Sequence, residues 1–375
     1  MAIEYAERIR RIPVYPVAAG YSLEGMALLA SNEAPFGPAP AVVEAAAAVL
    51  AGANRYPDPS YSPLRRALSE RYGIPAERIA LGNGSCDILL AAGEALLEPG
   101  AEVVYAWPAF SVYPHLAAAS GARAIQVPLD AAARHDLDAI AAEVTVATRL
   151  VLVCNPNNPT STALELDAVA AFLEQIPPHV CVILDEAYAE FSLALGDPYA
   201  SVELLARHPN LVLLRTFSKV YGLAGLRTGY ALCGTDTFRT AVDQVRQPFY
   251  LNVAAQAAAV EALSHQDEVE KRVVATIAAR ESLSTGLRDI GLWVAESDAN
   301  FVWARLADPG TDEAEAAARE KAVVSGLRER GVLVRAGSSL GQGGCLRITV
   351  GTDAENQRCL EALESVVSGT SSPTR

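Results

Sequence analysis

The chain has no CxxC pair among its six cysteines and no HxxxH or HExxH spacing among its five histidines. No metal site is expected from such spacing. Cys86, Cys154, Cys181, Cys233, Cys345 and Cys359 mostly sit in apolar runs and read as buried, reduced thiols. Positive charge is short: 30 Lys and Arg stand against 44 Asp and Glu, a net charge of −14. Such a surface repels nucleic acid and anionic membranes, so neither is an expected partner. An anionic substrate would have to be drawn by a local basic pocket. No apolar run reaches membrane-spanning length. The segment MAIEYAERIRR lacks the apolar stretch of a signal peptide, so a cytoplasmic location is expected. The tail SGTSSPTR reads as disordered.

What is present is apolar bulk. Of 375 residues, 51% are hydrophobic, enough for a large core without disulfides or metals. From about residue 78 to 235, short apolar runs alternate with helical patterns. The runs are RIAL (78–81), AEVVYA (101–106), RAIQVPL (123–129), TRLVLVC (148–154), VCVILDE (180–186), NLVLLRT (210–216) and RTGYALC (227–233). Several are apolar throughout, which suits strands covered on both faces. Helical segments at 85–97, 111–120 and 163–175 lie between them, so the pattern predicts an α/β domain with a mainly parallel sheet. Residues 236–290 read as helical. Strand-like NFVWARL (300–306), VLVR (332–335) and CLRITV (345–350), with helices at 312–330 and 353–367, predict a smaller α+β domain. The expected division is an N-terminal arm (1–40) packed with the small domain, a large domain (41–285), the small domain (286–367) and a tail (368–375).

In an open parallel sheet, ligands bind at the carboxyl ends of the strands. After RIAL comes GNGSCD (82–87) and then a helix, an arrangement suited to a phosphate, or simply a strand-to-helix turn. After TRLVLVC comes NPNNPT (155–160), where asparagines held between prolines offer fixed amide donors, or cap a tight turn. VCVILDE ends on two acids. Asp185 is costly to bury alone, so a cation must be near: a protein side chain in a salt bridge, or a bound ring nitrogen. After NLVLLRT comes TFSKVYGLAGLRTG (216–229). A lone lysine is usually solvated. In this uncharged stretch Lys219 can instead be desolvated, which lowers its pKa from about 10.4 and makes a nucleophile for a carbonyl. Thr216, Ser218 and Arg227 can bind an anion beside it. Together these sites supply a phosphate cradle, a hydroxyl partner, a carboxylate for a ring nitrogen and an amine for an aldehyde. Those are the polar handles of pyridoxal 5'-phosphate (PLP).

The segments GNGSCDILL, NPNNPT, VILDEAYAEF, RTFSKVYGLAGLRTGY and CLRITVG resemble the histidinol-phosphate aminotransferase family, PLP-dependent aminotransferases of fold type I. The resemblance runs from about Ser31 to about residue 366. It implies a fold type I large domain with a mainly parallel seven-stranded sheet. It also implies that Lys219 carries the coenzyme as a Schiff base and later moves the substrate proton. Asp185 would pair with the ring nitrogen, and Asn158 and Tyr188 with the ring's phenolic oxygen. Phe110 would stack on the ring. Ser85, Cys86, Thr216, Ser218 and Arg227 would hold the phosphate. Tyr56 would reach that phosphate from a neighbouring subunit, implying a homodimer. Arg347 would bind the substrate carboxylate and Asn32 would close over the site. Without the resemblance, Tyr56 and Phe110 also read as core aromatics, and Arg335 as half of a structural ion pair.

The implied reaction is a two-half, ping-pong amino transfer between a small-molecule amino donor and a 2-oxo acid. Histidinol phosphate carries a phosphate where glutamate carries a carboxylate, and Arg335 with Arg347 forms a plausible clamp for either anion. Tyr15 resembles a family tyrosine near the substrate phosphate. Ser161 stands where a glycine is usual, Cys86 where an acid is frequent, and Tyr250 replaces an asparagine of the RQPFNVN segment of an aromatic sub-branch. The expected activity is histidinol-phosphate:2-oxoglutarate aminotransfer in histidine biosynthesis. The alternatives are an aromatic amino-acid aminotransferase, a PLP decarboxylase of the threonine-phosphate type, and a non-catalytic PLP-fold regulator.

Overall fold

The computed structural model describes residues 3–5, 9–10, 12, 25–308 and 310–370, with side chains through residue 367. Among them lie a seven-stranded and a five-stranded sheet. The larger sheet contains β2 (Ile79–Gly82), β3 (Glu102–Trp107), β4 (Arg123–Pro128), β5 (Thr148–Cys154), β6 (Cys181–Asp185), β7 (Leu211–Thr216) and β8 (Gly229–Cys233) in the order β2-β8-β7-β6-β5-β3-β4. Strand β8 runs antiparallel to both its neighbours. Pairs β3–β4, β3–β5, β5–β6 and β6–β7 are parallel. All seven apolar runs read from the sequence form these strands.

Successive residues of a strand face opposite sides of the sheet. Val151, Val153, Val182, Leu184 and Leu213 enter one core, and Leu150, Leu152, Ile183, Val212 and Leu214 the other. That double burial is why β5, β6 and β7 read as unbroken apolar runs. Strand β4 lies at an edge, and there Arg123, Ala124 and Gln126 are exposed. The covering helices are α1 (Pro40–Ala48), α2 (Ser62–Tyr72), α3 (Ser85–Leu96), α4 (Tyr113–Ser120), α5 (Leu137–Ala142), α6 (Leu166–Leu173), α7 (Asp236–Val245) and α8 (Val253–Leu263). Helix α4 begins two residues later than expected, with a proline in its first turn, where the missing N–H is harmless.

The smaller sheet has the order β1-β11-β12-β10-β9. Its strands are β1 (Ala27–Leu29), β9 (Trp293–Val294), β10 (Phe301–Arg305), β11 (Val332–Ala336) and β12 (Cys345–Thr349). Helices α9 (Gln266–Asp289), α10 (Glu313–Glu329) and α11 (Asp353–Thr370) accompany it. Val302, Ala304, Val332, Val334, Leu346 and Ile348 pack with Leu283, Leu287, Val323, Leu327 and Leu363 of those helices. The alternate positions, among them Arg335 and Arg347, fall on the other face. Strand β1, not anticipated from sequence, pairs in parallel with β11 and seats the arm residues that follow it. Helix α11 runs to Thr370, past the residue where the tail was expected to begin. Residues 371–375 lie outside the described part, as does Tyr15.

Candidate active site

Strands β3, β5, β6 and β7 run in the same direction, and three of them are aligned near their ends: Cys154 of β5 pairs with Asp185 of β6, and Asp185 with Leu214 of β7. The loops after β2, β3, β5, β6 and β7 therefore converge on one edge of the larger sheet. The segment after β1 and the arginine-bearing face of β11 and β12 close over it. Between them is a cavity of about 370 Å³. Asn32, Ser85, Cys86, Phe110, Asn158, Asp185, Tyr188, Thr216, Ser218, Lys219, Arg227, Arg335 and Arg347 all line it. The candidate cofactor and substrate residues read from the sequence thus come together, with two exceptions. Tyr15 is outside the described residues. Tyr56 is 80% exposed and stacks on Phe249 with ring centroids 4.5 Å apart, in a groove away from this chain's own cavity.

At one end of the cavity, helix α3 starts at Ser85. A Cβ on Gly229 would lie 2.2 Å from the Ser85 nitrogen, so only glycine lets the helix N-terminus sit this close to β8. The N–H groups of Ser85 and Cys86, which open α3, have no partner within the helix and suit an anion. Arg227 supplies a guanidinium, donating to Ser218 Oγ at 3.4 Å and to the Ala224 oxygen at 3.0 Å. Its backbone is left-handed, with φ +60°, a strained conformation for a side-chain-bearing residue. Ser218 N donates to Thr216 Oγ1 at 3.0 Å. Hydroxyls, backbone N–H groups and one arginine here match the donor set of a phosphate site. The Cys86 thiol in the wall is pushed up to about 11 by burial, so it stays neutral.

In the floor, the two acids that end β6 part company. Glu186 forms a buried ion pair with Arg215 at 2.8 Å. Asp185 turns into the cavity and forms no ion pair among the described residues. Burial raises its pKa to about 6, opposed by hydrogen bonds from Tyr113 Oη (3.1 Å) and Ala187 N (3.3 Å). The salt-bridge reading of the sequence thus belongs to Glu186. Lys219 Nζ donates to the main-chain oxygens of Asn32 at 2.9 Å and Ser31 at 3.4 Å. Its pKa is lowered to about 7, by burial first and then by the Arg347 charge. A neutral amine and an ionised carboxylate can therefore coexist at neutral pH.

In the roof, Arg347 donates to Asn158 Oδ1 at 2.7 Å and to the Ala30 oxygen at 2.6 Å. Arg335 stands opposite it in the β11–β12 register. Asn32 Nδ2 donates to the Tyr188 hydroxyl at 3.0 Å. Asn32 is itself held by Thr349 and Asn300. Tyr188 is buried edge-on against Phe301, with centroids 5.0 Å apart. Ser161 has φ +60°. That is why a glycine is natural there, and its hydroxyl bond to the Thr160 oxygen at 2.6 Å compensates in part. Tyr250 packs on Tyr61 and donates to Asp243, outside this chain's cavity.

Sequence reading missed Tyr113, Leu340 and the carbonyls of Ala30 and Ser31. Tyr113 had a usable signal. It lies three residues after Phe110, across the turn closed by Tyr113 N donating to the Phe110 oxygen at 2.9 Å, and its ring packs edge-on against that of Phe110. The carbonyls carry no side-chain signature.

A desolvated amine, a buried carboxylate in the same cavity and a donor set suited to a phosphate, at the strand ends of this sheet, are the arrangement expected of a PLP-dependent transferase of fold type I. The site residues fit the coenzyme: the donor set suits its phosphate, and the buried Asp185 carboxylate, which has no ion pair among the described residues, suits a ring nitrogen. The family description for aminotransferase class I and II matches residues 24–363, and the chain belongs to that family. It is an aminotransferase and uses PLP. It is 47% identical over 313 residues to an aromatic amino acid aminotransferase of Thermobifida fusca, covering 83% of this chain and 86% of that one. It is 44% identical over 360 residues to histidinol-phosphate aminotransferase 2 of Ralstonia nicotianae, covering 95% and 93%. Among solved structures, it resembles histidinol-phosphate aminotransferase from Sinorhizobium meliloti in complex with PLP. There the TM-score is 0.87 at 30% identity, covering 99% of both chains. No helix among the described residues is long and apolar enough to cross a membrane.

Proposed function

We propose that the enzyme transfers the amino group of histidinol phosphate to 2-oxoglutarate in histidine biosynthesis, with Lys219 as the amine that holds the coenzyme and moves the proton. The observation that carries the amino-transfer part of this reading is the pair lining one cavity, a desolvated Lys219 amine and the buried Asp185 carboxylate; the substrate is supported by the likeness to the histidinol-phosphate aminotransferases at 44% and 30% identity. When bound, PLP supplies an aldehyde for the amino group and a ring that takes up the electron pair left by the substrate proton. Asp185 would hold a positive charge on the ring nitrogen. Tyr188 and Asn158 would hydrogen-bond the phenolic oxygen, and Phe110 would cover the ring face. The N-terminus of α3 at Ser85 and Cys86, with Thr216, Ser218 and Arg227, would hold the phosphate. Lys219 Nζ, once released, is a base of matched pKa for the proton on the carbon bearing nitrogen.

Arg347 would grip the substrate's terminal anion, with Arg335 beside it as second guanidinium; the pair accepts either a phosphate or a carboxylate. Asn32 would exclude water from above. Tyr56, turned away from its own cavity, would complete the phosphate site of a second copy, so the working enzyme would be a homodimer in the cytoplasm. The division into arm (1–40), large domain (41–285) and small domain (286–367) is proposed on the same footing.

A second reading, transamination of phenylalanine or tyrosine, is favoured by the relative at 47% identity. The test is rapid mixing of the PLP-loaded enzyme with histidinol phosphate, phenylalanine and tyrosine separately, following loss of the coenzyme absorbance. Conversion at the lowest concentration of histidinol phosphate supports the first reading. Preferential conversion by the aromatic amino acids overturns it.

A further inference from the structure

Tyr113 lies in the first turn of α4, behind the cavity wall and fully buried. Its neighbours are aromatic: Tyr105 edge-on at 5.7 Å and Phe110 edge-on at 5.8 Å. For packing alone, phenylalanine would serve. The hydroxyl needs a partner at this depth, and it donates to Asp185 Oδ2 at 3.1 Å. The direction of the bond is set by chemistry, since an ionised carboxylate only accepts. Burial keeps the phenol protonated far beyond neutral pH, so it remains a donor. The other carboxylate oxygen accepts from Ala187 N. The ionisable groups otherwise turned toward Asp185 are Cys86, Cys154, Glu186, Tyr188 and Lys219. Among the described residues, none of these five donates a hydrogen bond to it.

We propose that Tyr113 is a positioning residue for the ring-nitrogen contact: its hydroxyl fixes the Asp185 carboxylate and keeps it ionised, so that the coenzyme meets a charge rather than a neutral acid. Desolvation pulls Asp185 toward protonation, and the Tyr113 hydrogen bond is the largest influence opposing it. The same residue backs Phe110 and donates its N–H to the Phe110 oxygen at 2.9 Å, so one turn before α4 ties the ring-face wall to the residue that holds Asp185. The inference rests on the reading of Asp185 given above.

The test compares two probes on the apoenzyme: PLP, and its analogue with carbon in place of the ring nitrogen. Both carry the same aldehyde and phosphate. Wild type should bind PLP more tightly than the analogue. In Tyr113→Phe, affinity for PLP should fall about tenfold, the scale of a hydrogen bond to a charged group, while affinity for the analogue is retained. Placing 3-fluorotyrosine at position 113, a stronger donor of nearly the same shape, should widen the preference for PLP. Equal losses for both probes, or no loss for PLP, overturn the proposal, because a merely structural role for Tyr113 cannot tell the ring atoms apart. In the Asp185→Asn background, Tyr113→Phe should no longer change the preference. A wild type that does not distinguish the probes, or an Asp185→Asn variant that distinguishes them fully, instead removes the underlying reading of Asp185, and this inference with it.

Discussion

The amine of Lys219 donates to the main-chain oxygen of Asn32 at 2.9 Å, across 187 residues of sequence. The contact joins the segment after β1 to the loop after β7, and it offers the amine a neutral acceptor instead of an anion. A lysine so placed is oriented without being held in its charged form. Asn32 adopts φ +54° to do this, a conformation that asparagine tolerates better than most residues. Asn32→Ala should therefore be costly twice, through the left-handed backbone and through the lost bond to Tyr188. Thermal or chemical unfolding should show a loss of about 1–3 kcal/mol. Asn32→Gly should recover the backbone part of the loss but not the hydrogen-bond part. Equal stability of the two variants would contradict the assignment of strain.

With Lys219 as the proposed capturing amine, its lowered pKa should set the pH dependence of coenzyme uptake. Attack on an aldehyde needs the neutral amine. With its pKa at about 7, the rate of PLP uptake by apoenzyme should rise with pH below 7 and level off above it. Below about pH 6, protonation of Asp185 should weaken binding further. The sign for stability is the same. The unfolded chain retains the lysine proton up to about pH 10.4, whereas the folded amine has released it. Unfolded chain therefore binds more protons between those values, and apoenzyme stability gains from this group as pH rises through the window. Stopped-flow uptake from pH 5 to 9 checks the first part. A rate that kept climbing through pH 9 would mean an ordinary, solvated lysine.

Gly229→Ala should push the first turn of α3 away from β8, because the new Cβ would lie 2.2 Å from the Ser85 nitrogen. Overpacking of this kind costs about 1–3 kcal/mol. Because the first turn of α3 is the proposed phosphate site, binding of the phosphate end of the coenzyme should suffer most. PLP affinity should fall more than affinity for dephosphorylated pyridoxal, measured side by side by equilibrium titration.

Arg347→Lys keeps a charge but loses the planar fork that spans Asn158 and the Ala30 carbonyl. At a bidentate site this is not a conservative change. Steady-state kinetics should show kcat/KM for 2-oxoglutarate lowered by roughly 10²-fold, with a smaller effect on coenzyme binding. An unchanged kcat/KM would remove Arg347 from the substrate site.

Much of this architecture was legible before any coordinates. Strands buried on both faces leave uninterrupted apolar runs, and β5 and β6 carried that mark most clearly, while the edge strand β4 was read from a run broken by Arg123 and Gln126. Sheet-end chemistry was legible for the same reason, since polar residues such as Asp185 and Lys219 break those runs where the strands stop. Strand β1 was missed because three residues, ALL, are too few to show a period. The helices α1 and α2, PAVVEAAAA and SPLRRALSERY, were missed because they precede the alternating strands that guided the reading. The separate duties of Asp185 and Glu186 were not legible either. Adjacent residues point to opposite faces, but which face holds the arginine depends on Arg215 arriving from the neighbouring strand. Main-chain acceptors such as the Asn32 carbonyl leave no trace in side-chain identity.

The claim underlying the account is that one amine, Lys219, captures the coenzyme. Borohydride reduction of the PLP-loaded enzyme, followed by digestion and mass spectrometry, tests it directly. The account predicts a stable phosphopyridoxyl adduct on the peptide containing Lys219, absent from Lys219→Ala, which should still bind some PLP without turning over. An adduct on another lysine, or normal turnover in Lys219→Ala, would contradict it.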